Sequence, residues 1–487
     1  MLTHDFSTFR IGRPSAVVSA LLSQTLIGTV VLWLLSVSLS TPAAAQTGKA
    51  TTPEAVAVTR GPHSAVETGI AIDPTNIDHI VGAALMTIAG PAGSQITNFS
   101  YITMDGGRTW TTVAMPNPEG RVQGDDAVVI DHEGRVIRTW LGYAHLRDPR
   151  GVTPKTGLFA SSSGDGGFTW TDPAPLVDHL NTIVPFEDKP YPGVDLSPDS
   201  PHRGTVYVAW TRFTEYGSPA PSDSSFIYLV RSGDGGRTFS RPQRLPAGGG
   251  NALDDDDTVE GAVPAPGPDG TVYLSWSGPR GIEFTTSSDG GRSWKPARTV
   301  LKHPGGWNIG IEGLGRANGM PVTGVDCSDG PNRGTVYINW ADLRNNGGED
   351  GDADVFVSRS TNSGRTWSEP VRVHGDPVGN GRDQFFTWMS VDPLDGSVNV
   401  VFYDRREGDG SGIHVYLARS EDGGRTFREQ RISSEPFAPN PRLFFGDYNG
   451  ISAYGGRVAC LWTHSTPQAN ELRARVVDFK PAGRQSP

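Results

Sequence analysis

Thr103-Met104-Asp105-Gly106-Gly107-Arg108-Thr109-Trp110 is a turn that this 487-residue chain writes six times. The other copies are Ser163 to Trp170, Ser232 to Phe239, Ser287 to Trp294, Ser360 to Trp367 and Ser420 to Phe427, with Asp165, Asp234, Asp289, Asn362 and Asp422 in the third position. A spacing of roughly 60 residues makes the fold an array of one repeated unit. Each position has a task in a hairpin. The Asp or Asn oxygen accepts amide bonds from the residues that follow it, and glycine supplies the positive φ. The Ser or Thr hydroxyl ties the strand ends together, and the terminal Trp or Phe carries a large ring into the space between neighbouring sheets.

A second pattern recurs beside the turns: an apolar strand ending in an aromatic residue. It occurs at Val136 to Tyr143, Thr205 to Trp210, Thr271 to Trp276, Thr335 to Trp340, Ser397 to Tyr403 and Arg457 to Trp462, with Ile80 to Leu85 a weaker first member. Seven strands against six turns fit seven four-stranded blades in which the turn joins the third strand to the fourth. The last unit then has no fourth strand of its own. The alternating segment Glu54 to Thr59 is expected to fill that edge, closing the ring and leaving no strand unpaired. The expected fold is all-β: a β-propeller with blades near 64–115, 122–176, 185–243, 258–299, 316–373, 382–432 and 445–479. Six blades plus an added hairpin is the alternative.

The turn is the Asp box, and on these six copies the chain resembles the sialidase-like, bacterial-neuraminidase-repeat group of β-propellers over nearly all of its length after the leader. The resemblance implies a glycan or glycoconjugate substrate and no required cofactor. It also implies a site in which three arginines hold a sugar carboxylate, a Tyr activated by a Glu is the nucleophile, and an Asp is the acid. Arg212, Arg344 and Arg405 could supply the clamp, Tyr448 with Glu260 the nucleophile pair, and Asp125 or Asp126 the acid. The sequence departs from the family where the first arginine should open the first blade, since Glu67 stands there in Ser64-Ala65-Val66-Glu67-Thr68. A hydrolase acting on neutral polysaccharides with two carboxyls, and a non-catalytic binding propeller, are the competing readings.

Strand direction alternates within a blade, so the boxes mark one face as structural. The opposite face receives the residues that open first strands (Glu67, Asp125, Asp126, Asp188, Glu260, Asp383 and Asp447) and those that close second strands (Arg212, Arg280, Asp342, Arg344, Asp404, Arg405 and Arg406). Carboxyls crowded at one channel mouth raise one another's pKa unless a cation compensates. Asp350, Asp352 and Asp354, and the run Asp254 to Asp257, offer hard oxygen ligands in loops placed on this face, so Ca²⁺ is considered, with the first group favoured.

The ends and the composition bound the rest. Arg10 and Arg13, the apolar run Ala16 to Leu39 and Ala43-Ala44-Ala45 read as an export leader over residues 1–45, followed by a flexible 46–53. An uncleaved anchor is the alternative. Residues 54–480 are read as one propeller domain, 481–487 as a disordered tail, and the mature chain as an exported monomer without a membrane span. A net charge of -11 gives no basic stripe for nucleic acid. Cys327 and Cys460 fall in different repeats, as buried fillers rather than a bridge.

Overall fold

The computed structural model describes residues 54–88, 95–117, 120–144 and 154–479. The expected leader, the 46–53 segment and the 481–487 tail lie outside the described residues. Seven four-stranded antiparallel sheets follow one another along the chain. Their innermost strands are Ser64–Asp73, Val122–Ile130, Phe186–Val194, Glu260–Pro266, Val322–Val325, Gln384–Val391 and Gly450–Tyr454. Each innermost strand packs against the innermost strand of the next blade, and the seventh packs against the first, so the sheets form a closed wheel. The seven-blade expectation holds. No helix of the described residues is long and apolar enough to cross a membrane.

Closure follows the expected route. The seventh sheet has strands Gly450–Tyr454, Arg457–Ser465 and Asn470–Asp478, and its outer edge is taken by Val56–Ala57. Val56 pairs with Ala474 and Ala57 with Arg473, and the Leu472 amide donates to Thr59 Oγ1 at 2.8 Å. The last three-stranded unit therefore borrows its fourth strand from the start of the propeller, which removes the free edge.

The six turns are built alike. In the first, the amides of Arg108 and Thr109 donate to Asp105 Oδ1 at 2.9 and 3.0 Å, the Thr109 hydroxyl donates to Oδ2 at 2.7 Å, and the Gly107 amide donates to Thr103 Oγ1 at 3.0 Å. Partial desolvation works against ionisation of Asp105, yet these bonds hold its carboxyl down at about 2. The second glycine does a further job. A Cβ on Gly107 would lie 2.6 Å from Val476 of the seventh blade, one on Gly236 2.9 Å from Ile137, and one on Gly364 2.1 Å from Phe284. Each turn thus presses bare backbone against a side chain of the preceding blade, as only glycine permits. The seventh blade, lacking the turn, grips the sixth through Asp392, which accepts from the amides of Gly455 and Gly456 at 3.0 and 2.7 Å.

Another inter-blade tie is ionic. Arg138 is fully buried; it pairs with Asp126 of its own sheet and donates to the Phe99 carbonyl and the Ser100 hydroxyl of the first blade. Cys327 and Cys460 are both free thiols, on the fifth and seventh blades.

Two expectations follow. Asp289→Ala strands the amides of Arg292 and Ser293, and chemical denaturation should register a loss of about 1–3 kcal/mol. Asp126→Ala leaves the Arg138 guanidinium buried without its carboxylate and should cost about 3–5 kcal/mol. A loss below 1 kcal/mol at Asp126 would show that the pair does not brace the first two blades.

Candidate functional site

The innermost strands carry a repeated irregularity that decides what reaches the axis. In five of them the pairing register slips by one residue: after Val66, Gly124, Asp188, Glu260 and Phe385. The residue that follows is left-handed each time: Glu67 (φ 59), Asp125 (φ 48), Lys189 (φ 52), Gly261 (φ 79) and Phe386 (φ 46). Such a bulge re-aims the side chain it carries. Four of the five are not glycine, and a left-handed backbone there stores about 1–3 kcal/mol each, a strain that collects at working sites.

The bulges of blades one to four deliver Glu67, Asp125, Asp188, Lys189 and Glu260 to one place. Asp447 and Tyr448 join them from the connection entering the seventh blade. Lys189 is the hub. Its Nζ lies 3.0 Å from Glu260 Oε1, 3.5 Å from Asp447 Oδ2 and 3.7 Å from Asp188 Oδ2, and sits 5.6 Å above the ring of Trp307. Two long connections complete the cluster. Asp254, left-handed at φ 59, accepts from Tyr216 Oη at 2.6 Å and from Trp307 Nε1 at 3.1 Å. Arg316 forks onto Asp447, with Nε 2.8 Å from Oδ1, and its Nη1 lies 3.8 Å from Asp254. Gly261 makes this lid possible, because a Cβ there would sit 3.1 Å from Trp307 and 2.8 Å from Met320.

Six carboxyls, those of Glu67, Asp125, Asp188, Asp254, Glu260 and Asp447, therefore share two cations, Lys189 and Arg316. Lys189 is 2% exposed and Glu260 0%, so water cannot screen the excess. Desolvation, reinforced by Asp447, pushes Glu67 up to about 8, and desolvation with Glu67 nearby pushes Asp125 up to about 6. Burial also raises Asp188 and Glu260 well above the usual carboxylate range. Asp254 goes the other way. Its desolvation is outweighed by Lys189, Arg316 and the Tyr216 hydroxyl, and it stays ionised. The acids act on one another in pairs: the charge of Asp125 helps raise Asp188, and that of Asp254 helps raise Glu260. Asp254 keeps the most contact with solvent, its side chain 14% exposed, while Asp125, Asp188 and Glu260 are all buried.

Several sequence expectations are redrawn by this geometry. Asp126 is no acid candidate, since the bulge turns it away from the axis onto Arg138. Glu260 serves Lys189 and Asp254 rather than Tyr448; the tyrosine ring packs on Tyr191 at 5.3 Å and Trp388 at 5.7 Å, with Glu67 the nearer acid. Burial raises the Tyr448 phenol well above its normal value, the opposite of what an activated nucleophile needs. The three arginines do not converge. Arg212 forks onto Glu187 at 2.6 Å and stacks on Tyr228 at 4.1 Å; Arg344 holds Asp342 and stacks on Phe356 at 4.5 Å; Asp404 is held by Arg406 in the same manner. These pairs pin strand ends to aromatic neighbours within their own blades. Arg405 and Asp383 lie in a groove beside the mouth, where Asp383 Oδ1 accepts from the Ala353 amide at 3.1 Å. Asp350, Asp352 and Asp354 point apart, bonding to Gly310, Gly381 and Asn345 respectively. Among the described residues no group of three or more His, Cys, Asp or Glu is placed to hold a metal ion.

Sequence reasoning missed Lys189, Arg316, Trp307 and Tyr191, and it read Asp254 only as an oxygen ligand for a cation. Lys189 had a signal, because it occupies the bulge position of Glu67 and Asp125 one residue after the chosen Asp188. The others stand in connections, or on strand faces, that no repeat marks.

Neither a family model nor a curated protein matches the sequence. Solved structures do. A Hadza microbial sialidase, Hz136, aligns at TM-score 0.46 and 15% identity over 85% of this chain, which spans 66% of that sialidase's length. An alpha-L-arabinanase of Penicillium chrysogenum, complexed with arabinobiose, aligns at TM-score 0.46 and 12% identity over 88% of this chain and 98% of its own. A polysaccharide lyase of family PL25, an ulvan lyase, aligns at TM-score 0.48 and 14% identity over 86% and 94%.

Proposed function

We propose that this chain is a glycan-cleaving propeller, a glycoside hydrolase that works with a carboxyl pair at the channel mouth. What carries the reading is the convergence of Asp125 and Asp254 on one cluster at the mouth, in environments that push their pKa values apart. Asp125, raised to about 6, keeps its proton up to mildly acidic pH, while Asp254 is held ionised by Lys189 and Arg316. Hydrolysis of a glycosidic bond needs this division of labour: a neutral acid to protonate the departing oxygen, and a carboxylate to activate water or attack the anomeric carbon. Asp125 is the acid in this scheme and Asp254 the carboxylate, with Asp188 and Glu260 as the buried partners that set their charge. Trp388, half-buried, brings aromatic surface of the kind that packs on sugar faces, backed by the buried rings of Tyr191 and Tyr448 at 5.1 and 5.7 Å.

A sialidase-type mechanism is disfavoured on two counts, the uncollected arginines and the raised Tyr448. The leader read in the sequence fits an exported enzyme meeting polysaccharide outside the cytoplasm. A non-catalytic glycan-binding propeller is the outcome if chemistry is absent.

A glycan-release screen with a sialyl-lactose reporter beside neutral and acidic polysaccharides checks the reading. Asp125→Asn and Asp254→Asn should each cut release by at least about 100-fold, with melting temperatures near wild type, whereas Tyr448→Phe should retain most activity. Loss confined to Tyr448→Phe would restore the tyrosine mechanism. Release from no glycan would leave the binding reading.

The same electrostatics set a stability profile. Glu67 is raised from an ordinary glutamate's 4.5 to about 8 in the folded chain, so between those pH values the native state holds a proton that the unfolded chain releases. Its contribution is complete below 4.5 and is lost as pH rises through about 8. Thermal melts should therefore show stability falling across that interval, and Glu67→Gln should flatten the fall. An unchanged slope in the variant would remove Glu67 as its source.

A further inference from the structure

The arginines that close second strands offer a built-in comparison. Arg212, Arg344 and Arg406 each put their fork on a carboxylate of the same blade, at 2.6, 2.5 and 2.5 Å. Arg405, next in sequence to Arg406, has no carboxylate within ion-pair distance among the described residues, although it is 6% exposed. Its Nη2 donates to the Glu312 carbonyl, and its Nε has no partner. A buried guanidinium left with open donors is costly unless something completes it.

What adjoins it is a cavity of about 850 Å³, between the connection from the fourth blade to the fifth and the loops of blades five and six. Arg405, Arg382 and Arg316 all line it. Arg382 likewise donates to a backbone carbonyl, that of Asp409, instead of a carboxylate. Three acids of the groove each take a backbone amide, Asp350 from Gly310 at 2.8 Å, Asp383 from Ala353 at 3.1 Å and Asp409 from Ser411 at 3.0 Å, while the fourth, Glu312, turns an exposed carboxylate to its rim. Arg316 forms the wall between this groove and the mouth, its fork taken by Asp447. A ligand entering the groove thus meets two guanidinium groups with donors to spare, one of them desolvated and planar, a geometry suited to an oxyanion.

We infer that the groove beside the mouth is a subsite for an anionic group, a carboxylate or a sulfate carried on a sugar unit, with Arg405 as its principal contact. The inference rests on the glycan-acting reading for the nature of the ligand, but not on the identity of the catalytic acids. The groove would hold a neighbouring unit of a charged polysaccharide while the bond to be cleaved lies at the mouth, so the substrate class is an acidic glycan.

Affinity electrophoresis of the whole chain in gels containing polygalacturonate, dextran sulfate or uncharged dextran tests it by binding alone. Retardation by at least one polyanion and none by dextran is expected, and the polyanion retained tells carboxylate from sulfate. Arg405→Ala and the shape-conserving Arg405→Gln should weaken that retention at least about tenfold, Arg405→Lys less. Melting temperatures establish which variants are folded. Equal retention of either folded neutral variant and wild type, equal retardation by dextran, or no retardation by either polyanion would overturn the subsite. Glycan release lost in Asp125→Asn would still stand in that event, so the two readings fail separately.

Discussion

Closure of seven sheets about one axis is the constraint from which the rest follows. A wheel of sheets has to keep its neighbours in register without a covalent tie, and here contact is made by backbone. The second glycine of each turn leaves no room for a side chain because the preceding blade already occupies the space, as Val476 does beside Gly107 and Phe284 beside Gly364. The seventh sheet is completed by Val56–Ala57, so the two ends of the propeller are locked in one hydrogen-bonded ladder. Once the wheel is closed, whatever the innermost strands carry at their first residues is forced together.

Convergence has an electrostatic consequence. The bulged, left-handed residues place acids from blades one to four within reach of one another, out of water, and a single buried ammonium cannot neutralise them all. The cluster resolves this by holding protons. Glu67, Asp125, Asp188 and Glu260 are raised, while Asp254 alone is lowered, because Lys189, Arg316 and the Tyr216 hydroxyl act on it together. Burial that would be a liability in a structural core becomes here the means of keeping an acid neutral beside an ionised carboxylate. The strained backbone at Asp125 and Asp254 belongs to the same arrangement: local stability is given up to aim these carboxyls into the cluster.

Much of this was legible in the sequence. The six turns fixed the fold class, the mismatch between turns and aromatic strands gave the seventh blade, and Glu54 to Thr59 was recognisable as its missing edge. The rim acids were legible because they recur at equivalent places. The arginine roles were not, because a guanidinium's partner is set by the neighbouring strand. Glu187 beside Arg212 sits on the adjacent strand of its sheet, and Asp342 lies only two residues before Arg344, so those forks are taken inside a blade. Asp126 misled for a related reason: one residue of bulge decides which of two consecutive aspartates faces the axis. Asp254, Trp307 and Arg316 come from connections with no counterpart in other blades, and a repeat-based reading has no purchase on them.

The central claim is that the mouth keeps neutral carboxylic acids at neutral pH beside an ionised one. Infrared titration of the folded protein measures it directly, through the C=O stretch of protonated carboxyl groups. The account predicts a carboxylic-acid band that persists at pH 7, diminishes in Asp188→Asn and Glu260→Gln, and bleaches further as Glu67 titrates near pH 8. A spectrum at pH 7 containing carboxylate bands alone would contradict it.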